Sequence, residues 1–127
     1  MGGPGYSFPN VLADEGQLNG SRIMSQSELI SLISLVANPT QYQGKQVRVI
    51  GCLRAQFEAT GLFVSEADSR HAVTKNGIWL EIEAAAYSQL DGSYVVVEGL
   101  VDATSQGHLG LWSGTIRGVA RLDRWTT

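Results

Sequence analysis

The residues whose types and spacing could do chemistry fall into three sets. The first is a pair of aromatics, Phe63 and Trp79, each in a short alternating apolar segment. Arg48 and Arg54 precede them, and Arg70, His71 and Lys75 lie in the polar stretch between. Rings on neighbouring strands flanked by cations are what single-stranded nucleic acid needs, because bases stack on the rings and phosphates meet the charges. Glu66, Asp68, Glu81 and Glu83 interleave with the same residues. Carboxylates beside a phosphate path repel it, so this surface suits a protein or a cationic group better. The aromatic pair also has a bland reading, as packing beneath a helix or as a dimer contact.

The second set is the string GHLGLWSGT at 107–115, which brings His108 and Ser113 together, with Asp102 upstream. A hydrolase would use these types, but the spacing does not match the Gly-x-Ser-x-Gly elbow. His108 is expected to cap or hydrogen-bond the turn before the following strand, and Trp112 to pack against the body of the fold. The third set would be metal ligands. His71 and His108 have no partner at ligand spacing, and the single cysteine, Cys52, excludes both an internal disulfide and a cysteine-rich zinc site. Gly107 and Gly110 do not form a phosphate loop. No catalytic residue, metal ligand or cofactor is assigned. The ligand-binding candidates are Phe63, Trp79, Arg48, Arg54, Glu81, His71 and Lys75.

Bulk properties point the same way. The chain has 127 residues, enough for one domain with its own core. It is 43% hydrophobic and carries a net charge of −3, where a nucleic-acid protein is expected to show a basic face. No apolar run reaches membrane-spanning length, and no basic start leads into an apolar run. A cytoplasmic protein is the expectation.

The elements that must position these residues are mostly strands. Lys45 to Glu58 (KQVRVIGCLRAQFE) alternates with a period of two. Val47, Val49, Gly51, Leu53, Ala55 and Phe57 take one face; Arg48, Ile50, Cys52, Arg54, Gln56 and Glu58 take the other. Gly51 marks a bend in a strand long enough to serve both halves of a small barrel. Further strands are expected at Gly61–Glu66 after an Ala59–Gly61 turn, at Gly77–Glu83, at Ser93–Asp102 and at Leu111–Leu122. Ala67 to Asn76 reads as a loop, and Ala84 to Leu90 as a short helical link. Ahead of the strands, Ser25 and Glu28 form a capping box. Leu29, Leu32, Ile33 and Val36 then make one apolar stripe, predicting a helix over 25–38 that Asn38-Pro39 ends. Residues 1–23 show no periodicity and read as an irregular arm, with Met24 a plausible natural start.

Three strands, a helical link and two strands, with glycines inside the first, fourth and fifth, is the arrangement of the five-stranded Greek-key OB-fold barrel. The segment NPTQYQGKQVRVIGCL, through Asn38, Pro39, Tyr42, Gly44, Lys45, Val47, Val49 and Gly51, resembles the opening of many small bacterial OB-fold proteins. KNGIWLEI, YVVVEGLVD and GHLGLWSGTI are similar to segments of a group of uncharacterised small bacterial proteins. The resemblance spans about residues 25–125 and implies an all-β, OB-type barrel over 24–127 with one N-terminal helix packed against it. It carries over no catalytic residue. The function expected is a non-enzymatic binding module whose partner is a protein or a second copy. Single-stranded nucleic-acid binding is the alternative, and a small hydrolase the remote second alternative.

Overall fold

The computed structural model describes residues 27–127 and, ahead of them, only the backbone pairing of Pro4–Gly5 with Phe8–Pro9. From Ser27 the elements are β1 (Glu28–Leu29), α1 (Leu32–Ala37), β2 (Gln46–Gln56), β3 (Ala59–Phe63), α2 (Glu66–Arg70), β4 (Gly77–Leu80), β5 (Tyr94–Asp102) and β6 (Thr115–Arg124). Short 3-10 turns lie at Pro39–Tyr42, Thr74–Asn76, Ala84–Leu90 and His108–Gly110. The fold is mostly β. β2 pairs antiparallel with β3, β3 antiparallel with β4, β4 parallel with β6, and β6 antiparallel with β5. β5 then returns to pair antiparallel with β2, so the sheet curls back on itself in a barrel-like way. β1 adds to β2 in parallel.

β2 serves both sides of that circuit, as its length suggests. Gln46–Cys52 face β5 and Cys52–Gln56 face β3. Its inward residues Val47, Val49, Leu53 and Ala55 are buried. They meet Leu62 of β3, Ile78 and Leu80 of β4, Val95, Val97 and Val101 of β5, and Ile116 and Leu122 of β6 in one core. Burying each such side chain stabilises by about 1.5–3 kcal/mol. Leu32 and Leu35 of α1 plug the same core. Gly51 is needed for that plug: a Cβ there would sit 2.6 Å from Leu32 Cδ2 and 2.8 Å from the Phe63 carbonyl oxygen. Its role is close approach as well as curvature.

Several boundaries differ from the sequence expectation, each for a local reason. The helix begins with Ser31 as its N-cap, whose hydroxyl accepts from the Ile33 amide at 3.1 Å. Glu28 cannot act in a capping box because it is strand: β1 pairs with β2, and the Ile30 amide donates to the Arg48 carbonyl at 3.0 Å. Ser25 lies outside the described residues. The buried pair is therefore Leu32 and Leu35, while Leu29 and Ile33 are exposed.

The β2–β3 turn is Phe57-Glu58, tighter than an Ala59–Gly61 turn. The Thr60 hydroxyl clasps it by donating to the Gln56 carbonyl at 2.8 Å, and this throws Phe57 out of the inner face into solvent. The expected 67–76 loop is helical up to Arg70, as the continuation of α2, because Ser65 caps that helix through the Asp68 amide at 3.1 Å. The third strand stops at Leu80, three residues early, where its parallel pairing with β6 ends at Ile116. The last strand starts at Thr115, because the residues before it are engaged elsewhere.

Candidate ligand cleft at the loop end

Those preceding residues lie over the outer face of β3 and β4. Trp112 is 2% exposed and rests across Gly61 and Gly77. A Cβ on Gly61 would be 2.2 Å from the indole, so only glycine admits the ring. Trp112 lies 5.2 Å from Phe63 and 5.5 Å, edge-on, from Trp79. The segment is tied down by Trp112 N–H to the Gln106 carbonyl (2.9 Å), the Ser113 hydroxyl to the Lys75 carbonyl (2.6 Å) and the Trp79 amide to the Gly114 carbonyl (2.9 Å). Phe63 is consequently 0% exposed. It does not form an open stacking platform with Trp79. Its cover is neither helix nor twin but the chain's own 103–114 segment.

Trp79 is half-buried, and His108 stacks on it with centroids 6.1 Å apart at 23°. His108 Nε2 stands 4.0 Å from Glu58 Oε1. This contact joins the β2–β3 turn to the β5–β6 segment. Between them opens a cleft of about 300 Å³ lined by Phe57, Glu58, Thr60, Trp79, Ile82, Glu83, Ala84 and His108. Phe57 is 89% exposed, and Leu109, next to His108, is 76% exposed. Glu58 and Leu109 both hold left-handed backbone, with φ of 67° and 59°. Non-glycine residues in that region carry strain and tend to persist at functional sites.

Of the ligand-binding candidates only Trp79 lines this cleft, joined by His108, expected only at a turn, and Glu83, expected only as a repelling carboxylate. Arg48 is half-exposed and pairs at 3.9 Å with Glu98, which also takes Arg121 at 3.3 Å. Arg54 donates to the Ser69 carbonyl at 2.7 Å and to Gln56 at 3.3 Å. It lines a separate hollow of about 290 Å³ with Cys52, Glu66, Arg70 and Asp91. Glu81 bonds Arg117, which also donates to Asp102 at 2.7 Å. The Thr104 hydroxyl first, and then Arg117, hold Asp102 down to about 2. His71 is the exposed C-cap of α2, and Lys75 is exposed at a turn. The expected single surface is thus dispersed.

The hydrolase set does not assemble: Ser113 serves the Lys75 carbonyl, Asp102 serves Thr104 and Arg117, and His108 faces Glu58. Burial pushes the Cys52 thiol up, and its sulfur lies 3.7 Å from the Gly92 carbonyl oxygen, so it is a packed thiol. Phe57, Glu58 and Glu83 were missed as site residues. Phe57 read as inward by alternation, and nothing in a period of two marks where a hairpin reverses. The signal that was present is Gly61 and Gly77, each paired across the strands with an aromatic, Trp79 and Phe63. Glycine beside an aromatic leaves space for another ring.

Among the described residues no group of three His, Cys, Asp or Glu side chains could hold a metal ion, and no helix is long and apolar enough to cross a membrane. Comparison with protein-family profiles, curated proteins and solved structures finds no match to this chain.

Proposed function

We propose that this chain is an OB-type barrel serving as a non-enzymatic binding module, and that it grips a protein partner at the loop end. Support for the OB reading is the circuit β2-β3-β4-β6-β5, with its one parallel contact between β4 and β6 and a helix plugging the core. OB-folds bind beside the loops that here correspond to the β2–β3 turn and the β5–β6 segment. The observation that carries the partner class is the exposure of Phe57, which lines the Trp79 cleft, and of Leu109, which follows its lining residue His108 in the chain. Large apolar side chains held out on left-handed turns suit a protein surface, where a few such anchors dominate affinity. Nucleic acid is disfavoured because Arg48, Arg117 and Arg121 are engaged in ion pairs and Phe63 is covered. A bacterial cytoplasmic setting belongs to the same reading and rests on the resemblance.

The test is selection of a random peptide-display library on the full chain, with Phe57→Ser/Leu109→Ser as counter-target. Peptides whose binding drops at least about tenfold on the double variant support the reading. Peptides indifferent to it, together with salt-sensitive tryptophan quenching by mixed-sequence single-stranded DNA, would replace it with the nucleic-acid reading.

A further inference from the structure

Resting on that reading of the loop end, we propose that the group received by the Trp79 cleft is a cationic side chain, arginine ahead of lysine, presented by the partner. At about 300 Å³ the cleft stands at the small end of ligand sites and holds one side chain better than a nucleotide. Its flat walls are aromatic: the Trp79 indole with His108 stacked on it, and Phe57 at the rim. Its charged lining is acidic. Glu58 and Glu83 are there, and neither lysine nor arginine is.

The carboxylates are also available. Among the described residues the Glu58 carboxylate meets only His108, at 4.0 Å, the outer limit of an ion pair. The Glu83 carboxylate has no hydrogen-bond or ion-pair partner among the described residues, although Glu81, Glu98, Asp102 and Asp123 all do. A cation over an indole face is attracted by the ring quadrupole. A nearby carboxylate adds a charge-assisted hydrogen bond. Arginine satisfies both together, because its planar fork stacks and donates in one orientation. An anionic or phosphate-bearing group would meet two carboxylates in the same space.

The experiment is a nitrogen–proton NMR titration of the full chain with four probes: N-acetyl-arginine amide, N-acetyl-lysine amide, N-acetyl-leucine amide and N-acetyl-glutamate amide. The expected result is a saturable shift of the Trp79 indole N–H and the Glu58 and His108 amides with arginine, weaker with lysine and absent with glutamate. Glu58→Gln/Glu83→Gln should weaken the arginine response about tenfold, the scale of lost charge-assisted bonds. Both residues are exposed, so the rest of the spectrum should stay unchanged. Leucine saturating the cleft below arginine, an arginine response equal in the double variant, or no shift with any probe each overturns the proposal. The two readings fail separately. Library peptides that need Phe57 and Leu109 but bind the charge-neutralised variant equally well sink only the cation. An arginine-filled cleft with no such peptides sinks only the protein-partner reading.

Discussion

The wall formed by β2, β5 and β6 and the loop end beside Trp79 carry similar charged side chains and treat them in opposite ways. On the wall, strand register sets Arg48 opposite Glu98 and Glu98 opposite Arg121. Directly opposed charges on one face of a sheet neutralise one another across the ladder. Asp123 extends this row through Arg121, and Glu81, Arg117 and Asp102 form a second row. At the loop end no register applies. The chain reverses at Phe57-Glu58 and leaves the sheet after Leu80, so among the described residues neither Glu58 nor Glu83 pairs with a lysine or arginine. Residue type therefore says little about availability. Pairing geometry decides it, and the cleft beside Trp79 lies where pairing stops.

The largest way to break the contrast is to remove the ring beneath the loop end. Trp112→Ala should cost about 3–5 kcal/mol, read by chemical denaturation, and should open Phe63 to solvent. A cost below about 1 kcal/mol would mean that the 103–114 segment covers the sheet without Trp112. Next is Glu98→Gln, which leaves Arg48 and Arg121 facing each other over a residue only 4% exposed. Breaking a fully buried pair costs more, but both arginines reach water, so about 1–2 kcal/mol is expected, and high salt should shrink the difference.

The wall also has an acid signature. Asp102 is held at about 2, below its ordinary 3.8. A carboxylate depressed on folding stabilises fully above the ordinary value, and that contribution disappears as pH falls through about 2. Thermal midpoints of the wild type should fall between these pH values more steeply than those of Asp102→Asn. Parallel curves would show that Asp102 is not linked to folding. The smallest effect is at the loop end. Glu58→Gly relieves a left-handed backbone that costs about 1–2 kcal/mol and adds about 0.4–1 kcal/mol of unfolded-chain freedom, so a net stabilisation of about 0.5–1 kcal/mol is expected, while any cationic ligand of the cleft is weakened. A destabilised variant would show that the turn depends on the Glu58 side chain.

Much of the fold was legible because it rests on local alternation. The inner face of β2 at Val47, Val49, Leu53 and Ala55, and the inward Ile78 and Leu80, follow from period two and are buried as expected. Pro39 ended the helix where its geometry requires. The helix start was not legible, since Ser25/Glu28 and Ser31 are both plausible caps. The choice between them came from β1 pairing with a strand many residues away. Of the cleft, Trp79 was legible as a ligand contact, while His108 and Glu83 were visible only in other roles. Arg48 and Glu81 are as outward as alternation says, but their partners Glu98 and Arg117 are brought to them by cross-strand register.

By itself the sequence determined which residues alternate, where small residues interrupt them, and that its single cysteine forms neither an internal disulfide nor a cysteine-rich zinc site. These are properties of neighbours along the chain, set by sterics and side-chain period. The tertiary structure decided which aromatics are open and which charges are free. Trp112 reached Phe63 across 49 residues of chain because two glycines cleared its place, and the arginines were neutralised by acids that only strand pairing brought near. Burial and ion pairing depend on distance in space, and that distance exists only once the sheet has closed.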